Sequence, residues 1–342
     1  MAQVRAADLP MVDLTADSDT ELRRGLFETG FFLLRDTVVP RSLLDRVRDR
    51  TLQFMTLPSE EKMKYRGKLR GWTDFEEESA QAGYGDGGND RDACQKYSMG
   101  PIVSEEQRGA APEYYDAPEG RDNFLPNLFP GEEFRRDWEE YYVLMESLCG
   151  RLLDRIRQLL QLDPGTWEKQ TSSPTSVMRF LAYPACDHPL RMAAHYDDTL
   201  LTIIHQSVPP NGFAALQVQL EQGSDWQSVV PNDDEFVVNV GEALTFLSGG
   251  VVRATKHRVI GPPADQVTGS ERTSLAFFQL PNWNAKLWPA RAEGMDEGIG
   301  RQSTKFNLEE LREPDGSVLY YKAHQRAVGR LMDDSSSDAQ DA

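Results

Sequence analysis

Between residues 199 and 280 the chain breaks into seven short runs, 199–206, 212–220, 225–230, 235–240, 243–247, 256–260 and 272–280, each apolar or alternating in polarity and bounded by turn residues. Such runs are too short for ordinary helices, and alternation puts every second side chain on one face of a strand. Many short strands at close spacing bury their faces by closing into an antiparallel barrel or a two-sheet jelly roll, the class that includes the cupins. The predicted fold is therefore mainly β with flanking helices, its core a cupin-like jelly roll, or double-stranded β-helix.

The residues just ahead of these runs carry candidate chemistry. His195 and Asp197 are two positions apart, so on an extended strand both side chains point the same way, while Asp198 faces the other side. His257, on one of the late runs, is the natural third ligand. Two imidazoles and one carboxylate on one side of a metal leave the opposite positions open, the arrangement of catalytic non-haem Fe(II). Arg272 and Ser274 again share one face of the last run. A solitary His-x-Asp occurs often by chance, and a solitary strand arginine is usually a solvated group; their combination on late strands is the informative signal. His188, His205 and His324 lack partners at ligand spacing and are taken as ordinary histidines.

In order, His195-x-Asp197, His257 and Arg272-x-Ser274 resemble the motif of the 2-oxoglutarate-dependent Fe(II) dioxygenase superfamily, in its isopenicillin N synthase-like branch. The resemblance continues through residues 178–186, 239–242, 246–250, 10–14, 30–32 and 57–62, with Glu242 where an aspartate is usual, and so covers residues 10 to about 285. Within the branch, residues 70–73, 96–100, 127–130 and 189–197 are similar to the ring-expanding deacetoxycephalosporin C synthases. This resemblance implies Fe(II) held by His195, Asp197 and His257, with 2-oxoglutarate as cosubstrate and O2 as oxidant. It implies that Arg272 and Ser274 bind the far carboxylate of 2-oxoglutarate, and that Tyr183 and Met192 line its pocket. Arg179 and Arg70 become substrate contacts, Arg179 to a substrate carboxylate. The product class is a hydroxylated, desaturated or ring-expanded secondary metabolite. Leu69 and Leu181 stand where the ring-expanding enzymes have arginines, and residues 81–92 differ, which leaves the small-molecule substrate open, carboxylated or not. A carboxylate at Asp197, where halogenases carry a small residue, argues against halogenation. Two other readings remain: an isopenicillin N synthase-like oxidase that takes no 2-oxoglutarate, and a non-catalytic jelly-roll protein holding a structural zinc.

The rest of the chain agrees with a soluble enzyme. At 342 residues it is expected to form a single domain over 1–330, with a helix-and-strand region over 1–165, the jelly-roll core over 170–285 and terminal helices over 300–330. The formal charge of −18 provides no basic face for nucleic acid or an anionic membrane. No signal-peptide pattern opens the chain and no run of eighteen apolar residues could span a bilayer. Cys94, Cys149 and Cys186 form neither a Cys-x-x-Cys pair nor an even set, which points to a reducing cytoplasm. Helices are expected over 17–29 and 40–56, with a strand at 30–34 between them and Ser59 as the N-cap of a short third helix. Residues 134–162 repeat apolar side chains every three or four positions, one long helix that Pro164-Gly165 ends and that packs on the barrel. Residues 66–125 read as a flexible, lid-like loop. The Gly83-x-Gly85-x-x-Gly88 match lacks the flanking strand and helix of a dinucleotide site. Helices are expected over 306–312 and 317–330, and residues 331–342 read as a disordered acidic tail.

Overall fold

A computed structural model describes residues 5–16, 19–35, 38–85, 90–221, 223–288 and 309–332. The short runs form strands, which we number in chain order: β1 Met11–Asp13, β2 Phe31–Arg35, β3 Arg66–Gly67, β4 Arg70–Thr73, β5 Gln95–Met99, β6 Val177–Tyr183, β7 Leu190–His195, β8 Leu201–Gln206, β9 Leu216–Gln219, β10 Gln227–Ser228, β11 Phe236–Val240, β12 Lys256–Ile260 and β13 Arg272–Gln279. Nine join one sheet in the order β1-β2-β11-β8-β13-β6-β5-β4-β3, and four make a second, β10-β9-β12-β7. From β6 onward the chain passes back and forth between the two sheets, the winding of a double-stranded β-helix. A buried cluster that includes Tyr183, Leu216, Val218, Val259 and Ala276 lies where the sheets face each other.

Strand β13 shows how side-chain alternation makes a layered molecule. Arg272, Ser274, Ala276 and Phe278 line the cavity between the sheets, while Leu275 and Phe277 join the second core on the opposite face. That core is completed by the helix Glu132–Leu159, whose Trp138, Tyr142, Met145, Leu148 and Leu152 are fully buried, and Tyr142 meets Phe277 edge to face at 5.1 Å. Each such side chain contributes roughly 1.5–3 kcal/mol by leaving water, so this helix is a rigid backing for the sheet that carries the cavity.

Several local expectations are corrected. Residues 243–247 were expected as a strand, yet Glu242–Leu247 is a helical turn buried on all sides; a short run with no polar face has no period to tell strand from helix. Residues 66–125 are not one loop, because β4 and β5 extend the large sheet through β6 and the helix Ala80–Tyr84 packs beside β7. The Gly83-Gly88 match runs from this helix into residues 86–88, which lie outside the described residues. Pro58, not Ser59, occupies the N-cap of Ser59–Met63. Pro164 opens a further helix, Pro164–Thr171, which the Asp163 carboxylate caps by accepting from the Thr166 amide at 2.7 Å. The first helix, Thr20–Arg24, widens into a π turn over Gly25–Thr29 that stops at Gly30. Gly30 has φ 66°, and a Cβ there would sit 2.3 Å from the Thr255 hydroxyl, so only glycine allows this close approach beside the strand of His257. Of the expected terminal helices, Glu309–Leu311 is one 3-10 turn and Tyr320–Met332 is a full helix; the acidic tail from residue 333 lies outside the described residues. Among the described residues no helix is long and apolar enough to cross a membrane.

Candidate active site

β7 and β12 pair antiparallel with His195 directly opposite His257, so one cross-strand register unites two histidines far apart in sequence. Their ring centroids are 4.3 Å apart. β7 ends at His195, and Asp197 lies just beyond it, with its Oδ1 3.6 Å from His195 Nε2 and 3.8 Å from His257 Nε2. All three residues are buried, and their ligand atoms lie within 4.8 Å of one another. Each imidazole turns Nδ1 to a backbone carbonyl, His195 to Ala193 at 2.7 Å and His257 to Thr255 at 3.2 Å. Those acceptors favour the Nδ1–H tautomer and leave both Nε2 lone pairs aimed at the common centre. Phe31 braces the His257 ring edge-on at 5.4 Å.

The carboxylate is oriented just as tightly. Asp197 Oδ2 accepts from the Thr202 hydroxyl at 2.6 Å and from Asn239 Nδ2 at 2.7 Å, which leaves Oδ1 toward the histidines. Burial alone would raise the Asp197 pKa, but the facing His257 and His195 and these two donors hold it below the ordinary value. It is therefore a carboxylate at neutral pH, the form a metal ligand requires. Two imidazole nitrogens and one carboxylate oxygen, all on one wall of a cavity, fit a ferrous ion with open positions.

Arg272 lies in the same cavity and is 5% exposed. Its Nη2 donates to Gln206 Oε1 at 3.1 Å and its guanidinium sits over the Tyr183 ring at 4.9 Å, but Nη1 has no hydrogen-bond partner among the described residues. Burial lowers its pKa from the usual arginine value. A buried cation with a free donor and no anion is costly unless a ligand brings the anion. Ser274, Tyr183 and Met192 line the same region, and cross-strand register sets Arg272 opposite Tyr183. The group fits the distal carboxylate of a dicarboxylic acid.

The remaining expected contacts behave differently. Arg179 lines the cavity, but its Nη1 already donates to Glu78 Oε2 at 2.9 Å and its Nε to the Ser98 hydroxyl at 3.0 Å. Arg70 also lines the cavity; Nη1 and Nη2 donate to the carbonyls of Leu69 and Asn123 at 2.8 and 2.7 Å, and Nε has no partner among the described residues. Burial brings its pKa down to about 10. Asp198 does not face away, as continuing the strand implied: it lines the cavity and holds Nδ1 of His324, from the terminal helix, at 2.7 Å. His324 is thus a cavity residue too, whereas His205 is tied to the Asp233 carbonyl.

Sequence reasoning missed Thr202, Asn239, Gln206 and Glu78. Asn239 had a usable signal, a single amide inside the apolar run of β11, since a buried polar group implies a partner. Glu78 had none, because its partner Arg179 is 101 residues away.

Residues 173–281 match the 2OG-Fe(II) oxygenase superfamily and residues 9–130 the N-terminal region described as non-haem dioxygenase in morphine synthesis. The chain is 30% identical to deacetoxycephalosporin C synthase of Amycolatopsis lactamdurans over 53% of its own length and 60% of that relative. It is 26% identical to clavatol oxidase of Penicillium crustosum over 84% of itself and 90% of the relative. Among solved structures, a 2OG-Fe(II) oxygenase family protein from Caulobacter crescentus superposes with TM-score 0.70 at 23% identity, covering 94% of this chain and 99% of that one. The 2-oxoglutarate complex of dioxygenase for auxin oxidation 1 from Arabidopsis thaliana gives 0.62 at 19%, covering 86% and 100%. Both share the fold.

Proposed function

Because the chain belongs to the 2OG-Fe(II) oxygenase superfamily, we propose that it couples oxidative decarboxylation of 2-oxoglutarate to the hydroxylation, desaturation or ring expansion of a small secondary-metabolite substrate. The observation that carries this reading is the pairing, within one cavity, of the His195–Asp197–His257 group with a buried Arg272 whose Nη1 has no partner among the described residues. Ferrous iron, when bound, supplies O2 activation and the oxidising power that attacks a C–H bond. The protein's part is positional. His195, Asp197 and His257 hold the ion on one side, and Thr202 and Asn239 keep Asp197 from turning. Arg272 and Ser274 anchor the far carboxylate of the cosubstrate, with Tyr183 and Met192 against its carbon chain. Arg70, which donates to the neutral carbonyls of Leu69 and Asn123, is the contact for an anionic substrate group. The three free cysteines and a ferrous site suit the reducing cytoplasm.

A structural-metal reading would call for a fourth protein ligand; among the described residues the ligand group has three members. The decisive experiment is anaerobic addition of Fe(II) and 2-oxoglutarate to the metal-free protein. A visible charge-transfer band should appear in the wild type and vanish in Asp197→Ala together with iron binding. A wild type that shows no band, or an Asp197→Ala protein that keeps both, overturns the assignment. Substrate turnover without equimolar succinate would point to an oxidase instead.

A further inference from the structure

We propose that Glu78 is a built-in counter-anion that sets the substrate class, so that the primary substrate presents an uncharged hydrogen-bonding group, and not a carboxylate, to Arg179. The inference rests on the reading that this cavity takes the primary substrate.

Arg179 projects from β6 into the cavity, with its side chain 17% exposed. One carboxylate oxygen of Glu78 accepts from both Arg179 Nη1, at 2.9 Å, and Lys96 Nζ, at 2.7 Å, and Lys96 also donates to Asp92 Oδ2 at 2.7 Å. Glu78, Lys96 and Asp92 are 5%, 2% and 1% exposed. Two cations thus meet two anions, all from this chain, and only Arg179, Lys96 and Asp92 reach the cavity lining. Arg179 and Lys96 hold the Glu78 pKa at about 2, against burial that would raise it, so its charge persists across the working range.

A substrate carboxylate brought to Arg179 would have to leave water and lie next to the Glu78 carboxylate, with the guanidinium's charge already offset. Like charges in a low-dielectric pocket repel strongly, and a misplaced carboxylate there is left without compensation. A carbonyl, hydroxyl or amide meets no such penalty and still finds an N–H donor. The surrounding wall, formed by Val177, Leu181, Phe278 and Leu280, is apolar. The substrate therefore has an apolar body with a neutral polar group at this end.

Bromide soaks of crystals of the anaerobic Fe(II)- and 2-oxoglutarate-loaded protein test this by anomalous scattering. Wild type should show no bromide at Arg179, whereas Glu78→Gln should gain one within about 4 Å of its guanidinium, the reach of an ion pair. Bromide on Arg179 in the wild type, or none in folded Glu78→Gln, overturns the proposal. Should that variant fail to fold, the charge-balanced double variant Glu78→Gln, Lys96→Met carries the same expectation and the same refutation. Failure here leaves the charge-transfer band untouched, so the two readings fall separately.

Discussion

Arg272 and Arg179 sit on neighbouring strands, β13 and β6, and line the same cavity, yet the chain treats them in opposite ways. Arg179 has a carboxylate partner, the charge of which it shares with Lys96. Arg272 has a neutral amide, an aromatic face and a donor unused among the described residues. The difference teaches how to find a ligand's charge in a folded protein. A buried cation that the chain neutralises is part of the wall, while one left open marks where an external anion belongs. Local inconsistency of the second kind is expected at functional sites and is tolerated because the rest of the fold is well satisfied.

The strongest test of this contrast removes a cation from the closed end. Lys96→Met takes from Asp92 its ion-pair partner and leaves Glu78 paired with Arg179, and unpairing a buried ion costs about 3–5 kcal/mol. Chemical denaturation at pH 7 should report a loss of that size. The loss should also depend on pH. Glu78 titrates near 2 in the folded protein and near its ordinary 4.5 when unfolded, so its pairing stabilises fully above pH 4.5 and fades as pH falls toward 2. Asp92 moves the other way, its pKa raised by burial against the opposing pull of Lys96 and the Ala80 amide. Acidification below pH 4.5 should therefore close the gap between variant and wild type. A gap that widens there would mean that the cluster is not the source of the loss.

At the open end the same kind of change should do the reverse. Arg272→Leu gives up one hydrogen bond to Gln206 but also a buried, uncompensated charge, so stability without ligand should hold or rise. Affinity for 2-oxoglutarate should fall by about 2–5 kcal/mol, roughly 30-fold or more, the usual cost of losing one side of a buried charged pair. Iron binding should survive. Calorimetric titration of 2-oxoglutarate beside thermal melts separates the two effects, and a variant that melts early while binding the cosubstrate normally would reverse the roles assigned to the two ends.

Which end could be foreseen follows from the range of the interactions. The sheet strands announced themselves because a two-residue period is local, and Arg272 and Ser274 fell on one face by that rule alone. His195 and His257 needed only the further idea that late strands lie side by side, which the β7–β12 register supplies. The closed end was opaque. β4 and β5 are short, lie in a turn-rich region and become strands only because β6 offers an edge, and Glu78 meets Arg179 across 101 residues. A buried arginine invited the search for a substrate anion, but sequence could not show that the chain itself provides one. Asp198 misled for a simpler reason: alternation was carried past His195, where β7 stops.

The finest distinction lies within the open end. Ser274 lines the cavity two residues along from Arg272 on the same face, so its hydroxyl can add one neutral hydrogen bond to a carboxylate that the guanidinium already holds by charge. Such a bond contributes about 0.5–1.5 kcal/mol, against the larger share of a charged one. Ser274→Ala should then raise the 2-oxoglutarate KM roughly two- to tenfold and leave kcat alone, because the far carboxylate is bound equally before and during reaction. An effect as large as that of Arg272→Leu would make the hydroxyl a principal anchor, and a fall in kcat would show that it acts on the reacting end instead.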